Sequence, residues 1–238
     1  MSNLPKIDYP TITLQVPPDN KSCLFRPMLV KEEKLLLMAK VSEEETDILT
    51  AIKQVVNNCC LDPTLDINKL PLFALEYLFI RLRGFSIGDE IKVSYRDLED
   101  DKSYEFDVDL QKVDILYPEA VDNKIAVTKT SGLVMKYPSS AIYDDKTFLK
   151  AEGEETFYRL VIRCIDQIYD EENVYEAREF SEDDLLEFIE LLDIQSFEKI
   201  RKFMLDLPSL YYKLEYTNSN GNKRTIELKT LSDFFTLR

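Results

Sequence analysis

The chain has 238 residues, 45% hydrophobic and 32% charged, a balance that supports a folded core and excludes a disordered polyelectrolyte. Its 30 basic and 45 acidic residues leave a formal charge of −15, which argues against general nucleic-acid binding and against docking on anionic lipid, and favours basic partner surfaces. No apolar run approaches the roughly 18 residues that span a bilayer, and the opening MSNLPKIDYP lacks the apolar stretch of a signal peptide, so the expectation is a cytosolic protein.

Along the chain, residues 11–16 (TITLQV) alternate as a strand, Pro17-Pro18-Asp19-Asn20 make a turn, and residues 23–28 return, predicting an N-terminal hairpin. Two helices follow. The first covers residues 31–40 (KEEKLLLMAK); the second opens on the capping-box pattern Ser42-Glu43-Glu44-Glu45 and carries Ile48, Leu49, Ile52, Val55, Val56, Cys59 and Cys60 on one stripe until Asp62-Pro63. A third helix begins at Pro71, where proline is tolerated, and is apolar around most of its circumference. Arg81 and Arg83 are expected near its C-terminus, where cations suit the dipole and their long stems cover apolar surface, with an exposed loop over residues 84–89.

The period then changes to two. Ile91, Val93 and Tyr95, then Tyr104, Phe106, Val108 and Leu110, predict a second hairpin with one wet face. Residues 111–150 read as a loop-rich connection with strand candidates at 124–130 and 132–137. Phe157, Leu160, Val161, Cys164, Ile165 and Ile168 read as one helical stripe. Ser181 caps a further helix with Leu185, Leu186, Phe188, Ile189 and Leu192 inward, and Phe197, Ile200, Phe203, Met204 and Leu207 form another, stopped by Pro208. Residues 210–216 and 223–228 flank a Gly/Asn turn as a C-terminal hairpin, and residues 231–237 suggest a short closing helix. The expected fold class is α+β, antiparallel hairpins packed with several amphipathic helices. The expected parts are residues 1–110, the 111–150 connection, and a helical part with a hairpin over 151–238.

Candidate chemistry is sparse. The chain has no histidine, which removes histidine-based triads and general bases, and its five glycines form no phosphate-cradling loop. Cys23, Cys59, Cys60 and Cys164 include no CxxC pair and read as buried thiols. The acid pairs Asp100-Asp101, Asp144-Asp145 and Asp183-Asp184 fall in expected turns or a helix's first turn, where acids have structural reasons to be. The expectation is therefore no catalytic residue, no metal and no cofactor. DNA mimicry by the acidic surface would need contiguous acid rows, and the acids are dispersed. Phe234 and Phe235 are the best aromatic interface candidates, because adjacent helical residues diverge by about 100° and only one can face the core. With Arg81 and Arg83 they form the expected partner-binding set.

Several stretches resemble a known family: PTITLQVP at 10–17, FRPMLVKEEKLLLMAK at 25–40, AIKQVVNNC at 51–59, LPLFALEYLFIRLRGFSIGDEI at 70–91, and LPSLYYKLEY followed by LSDFF near the end. They are similar to the baseplate hub assembly proteins of T-even-type bacteriophages with contractile tails. The resemblance implies a non-enzymatic protein that binds other baseplate hub proteins, as an assembly chaperone or minor hub component, in the host cytoplasm during assembly or in the virion baseplate. A permanent structural subunit is the alternative within that class, and a carboxylate-based tail-associated hydrolase the alternative outside it. Some members of the family carry a Cys-x-x-Cys after the first strand of the central hairpin; this chain has YRDLEDDKSYEF there, which removes a metal role and leaves an ordinary turn as the expectation.

Overall fold

The computed structural model describes residues 7–41, 45–119, 122–145, 148 and 153–234. Among them are seven α-helices and eleven strands, every strand pairing antiparallel, which is the expected α+β class. Contacts gather into two units: residues 1–116 with 209–238, and residues 117–208.

The first unit opens with the hairpin β1 (Ile12–Val16) and β2 (Lys21–Phe25). Helices α1 (Val30–Val41) and α2 (Glu45–Cys59) follow; the expected capping residues 42–44 lie outside the described residues. The α2 stripe buries Ala51, Ile52, Val55, Val56 and Cys59. Arg26, just past β2, reaches Glu32 with both Nη atoms (3.2 and 2.9 Å) and the Asn58 carbonyl (2.7 Å), tying β2, α1 and the end of α2 together. Glu32 is wholly buried. Burial alone would raise its pKa, but the Arg26 guanidinium and the Leu29 N–H outweigh it and hold the carboxyl below its ordinary value.

Helix α3 (Leu72–Ile87) is the core element of this unit and packs on α2, β1, β5 and β10. Phe73, Ala74, Leu75, Leu78, Phe79, Ile80 and Leu82 are buried on several sides, as the all-round apolar pattern predicts. It does not end at Gly84. Gly84 is a buried helical residue close to Asp89, and the helix runs on to Ile87 before Gly88, at φ +145°, ends it. The expected loop over 84–89 is thus mostly helix, because Gly84 supplies closeness to a neighbour and Gly88 supplies the left-handed stop. The hairpin β3 (Glu90–Arg96) and β4 (Ser103–Asp109) follows where it was expected, with Ile91 and Val93 inward. Strand β5 (Asp114–Leu116), inside the stretch read as loop-rich, pairs with β10 (Ser209–Thr217), which pairs in turn with β11 (Lys223–Leu228).

The second unit is a four-stranded sheet in the order β6 (Lys124–Ala126), β7 (Gly132–Met135), β8 (Ile165–Tyr169), β9 (Val174–Glu176), with helices α4 (Glu154–Arg163), α5 (Glu182–Glu190) and α6 (Ile194–Leu205). Gly132 is required where it stands: a Cβ there would collide with the Ile125 carbonyl and the Tyr169 ring. The stripe expected to run helically from Phe157 to Ile168 breaks at Arg163. Ile165 and Ile168 pair as strand residues with Met135 and Leu133, so sheet pairing overrides a three-residue apolar spacing that fits a helix. The core joins Ile125, Leu133, Met135, Val161, Ile162 and Ile165 from sheet and α4 to Leu185, Ile189, Ile200 and Phe203 from the later helices. Ser181 caps α5 in a capping box with Asp184, as the sequence predicts, and Asp193 caps α6 by accepting from Ser196 N–H. The short closing helix α7 (Leu231–Phe234), in the first unit, packs on β3.

Candidate interaction surfaces

Carboxylates are the reactive groups this chain has most of, and the acid pairs are where catalysis would be sought. In the first unit the β3–β4 turn brings Asp97, Glu99 and Asp100 against the β10–β11 turn. Asp97 is wholly buried; it accepts from Tyr216 Oη (2.7 Å) and Glu99 N–H (2.8 Å), and Arg224 Nε lies 3.5 Å away. Glu99 accepts from Asn218 Nδ2 (3.1 Å), Arg224 Nη1 (3.2 Å) and Asn222 Nδ2. Asp100 accepts from the Ser219 N–H (2.9 Å), the Ser219 hydroxyl (2.8 Å) and the Tyr104 hydroxyl. The rings of Tyr104 and Phe106 pack on Tyr216 at 4.8 and 5.3 Å.

These bonds set the acidities. The Tyr216 hydroxyl and the Glu99 N–H hold Asp97 below its ordinary value. Burial works against ionising Asp100, yet the Tyr104 and Ser219 donors outweigh it and pull that carboxyl well below the usual range. Burial, then Asp97, pushes the Tyr216 phenol up to about 12. The turn expected to be ordinary is a clamp between two hairpin tips, and its lone pairs are spent on it. The other pairs also have structural partners: Asp101 with Arg96 (2.8 Å), Asp145 with Arg163 (2.6 Å), Asp184 with Ser181. Among the described residues no group of three or more His, Cys, Asp or Glu is placed to hold a metal ion, and no helix is long and apolar enough to cross a membrane. All four cysteines are free thiols, with burial pushing Cys59 up to about 11 and Cys164 up to about 12.

The four residues expected to meet a partner are not brought together. Arg81 donates to the carbonyls of Leu110 (3.3 Å), Gln111 (2.6 Å) and Val113 (3.0 Å) and stacks over Tyr77, so its charge latches the segment before β5. Arg83 is half-buried; its Nη1 is buried without a hydrogen-bond partner among the described residues, and burial lowers its pKa. Phe234 is 2% exposed, which corrects its reading as a surface aromatic: it is turned into the core. Phe235 lies outside the described residues.

Two exposed apolar surfaces stand out that the sequence reading did not single out. On α1, Leu37, Met38 and Val41 are 57%, 63% and 83% exposed and share one helical face. In the second unit a hollow of about 430 Å³ is lined by Ile168, Tyr175, Phe180, Asp184, Leu185 and Phe188. Phe180 also lines a smaller hollow of about 180 Å³ beside Lys136, Arg163 and Arg178. Tyr175 and Phe180 meet edge to face at 6.3 Å, and Tyr175 Oη donates to Asp170 (2.9 Å). The available signal was compositional and corrects the reading of the acids as dispersed: residues 165–190 hold eleven acids and one base, two thirds of the net charge.

A family model described as T4 bacteriophage base plate protein matches residues 9–236, which takes in both units. No curated protein and no solved structure matches the chain. With a match over nearly its whole length, the chain belongs to the T4 bacteriophage base plate protein family.

Proposed function

We propose that this baseplate protein works by binding other proteins of the baseplate hub while the tail is assembled in the host cytoplasm, as a non-enzymatic assembly factor. The observation that carries this reading is the grouping of exposed apolar side chains on α1. A helix that leaves Leu37, Met38 and Val41 in water on one face leaves a surface that gains by being covered. The chain's net negative charge would speed encounter with basic partners.

The test is affinity capture of the tagged chain from phage-infected cells with mass spectrometry of what comes with it. Baseplate hub proteins are expected, with recovery reduced by a Leu37→Ser/Met38→Ser variant that still folds. Their absence, under conditions that capture a control tail complex, would sink the reading. The same analysis of finished particles separates an assembly factor from a resident subunit.

A further inference from the structure

We propose that the hollow between β9 and α5 is the docking groove for a positively charged amphipathic helix of a partner protein. This rests on the partner-binding reading above and names the partner's chemistry at a second place on the molecule.

The walls are apolar and in water. Phe180 is 41% and Tyr175 36% exposed, and the same face of α5 that carries Phe188 continues to Leu191, 79% exposed. That is a strip with room for apolar anchors at helical spacing. The frame is acidic. Glu171 and Glu172 lie in the β8–β9 turn, Glu179 beside Phe180, and Glu187 on α5 next to Phe188; all four are exposed, and none of their carboxylates makes a hydrogen bond or salt bridge among the described residues. Unlike Glu182, which pairs with Arg163, or Asp184, which caps α5, these groups have no internal task in the structure. Arg178 is the one base in the stretch.

Charge selects among occupants. A second copy would bring the same acidic frame against itself, in a chain of net charge −15. Nucleic acid and an anionic membrane are repelled for the same reason. A cationic segment gains from every unpaired carboxylate and buries Phe180, Tyr175 and Phe188 with its apolar face. Strand addition is disfavoured. Edge strand β9 has only three residues, Val174–Glu176, between a turn and a 3₁₀ helix (Ala177–Glu179), too short for a ladder.

The probe is a synthetic amphipathic leucine/lysine helix of about five turns, with a leucine/glutamate counterpart as control. Each is titrated into the full-length chain by fluorescence anisotropy. Expected are binding of the lysine helix that weakens as salt rises, and no binding of the glutamate helix. Phe180→Ser, a change at an exposed side chain, is expected to weaken binding about tenfold or more. The triple change Glu172→Gln/Glu179→Gln/Glu187→Gln, wholly on the surface, is expected to weaken it and to flatten its salt dependence. Unchanged affinity in both variants, or equal binding of the two helices, overturns the proposal. So does a parent chain that sediments as a dimer and becomes a monomer on Phe180→Ser, since the occupant would then be a second copy. Capture from infected cells separates the levels. Hub proteins that follow the parent but not Phe180→Ser support the groove. Hub proteins that follow both overturn the groove and leave the broader reading standing; hub proteins that follow neither overturn both.

Discussion

Two acidic stretches of this chain, residues 97–101 and 165–190, use one residue type in opposite ways. In the first, Asp97, Glu99 and Asp100 accept hydrogen bonds from Tyr216, Asn218, Ser219, Asn222 and Arg224, and so join hairpin tips more than 110 residues apart in the chain. In the second, Glu171, Glu172, Glu179 and Glu187 are exposed beside the segments that line an apolar hollow. A carboxylate whose lone pairs are filled by its own chain contributes to the fold; one left open contributes to the surface field. The difference teaches that acidity alone marks no site here. What separates the two stretches is whether donors of the same unit reach the oxygens.

The largest test of the contrast removes a spent carboxylate. Glu32→Ala leaves the Arg26 guanidinium buried without its partner and is expected to cost about 3–5 kcal/mol of stability, read by urea unfolding. Asp97→Ala is expected to lower the melting temperature by less, since Arg224 is more exposed than Arg26, and its effect should be non-additive with that of Arg224→Ala. A surface role for Asp97 would instead leave the melting temperature unchanged.

Stability against pH sharpens the same comparison. Folding lowers the pKa of Glu32, Asp97 and Asp100, so their contribution is complete above about pH 4.5 and is lost as pH falls below it. Folding raises the thiols, so theirs is complete below about pH 9 and is lost as pH climbs toward about 11 for Cys59 and about 12 for Cys164. Cys164→Ala is expected to flatten the alkaline fall and leave the acid fall in place. The smallest effect is expected at the open carboxylates: Glu172→Gln/Glu179→Gln/Glu187→Gln should leave the melting temperature unchanged or raise it slightly through reduced like-charge repulsion.

Local signals made much of the fold legible. The alternation of residues 11–16 and 91–95, the stripe of α2, the all-round apolar α3 and the Ser181 cap each act over a few residues, and each formed as read. Long-range pairing was not legible. β5 is three residues whose partner β10 lies more than 90 positions on, and that pairing places the C-terminal hairpin with the first unit rather than beside the helices that precede it in sequence. Ile165 and Ile168 stand three apart, a helical spacing, and only pairing with β7, across a register shift at Val134/Met135, makes them strand residues. Phe234 shows the same limit in the surface reading: the chain alone left open which way it faces, and the structure buries it. The hollow at Phe180 depends on how β9 and α5 meet, although the charge of residues 165–190 was open to inspection.

The measurement that tests the contrast most directly is hydrogen exchange of the full-length chain, free and within the baseplate complexes it is captured with. Slower exchange on binding is predicted in residues 170–191, with no change at residues 97–104 and 217–224, whose groups are already engaged. Protection confined to the hairpin tips, with residues 170–191 unchanged, would contradict the account.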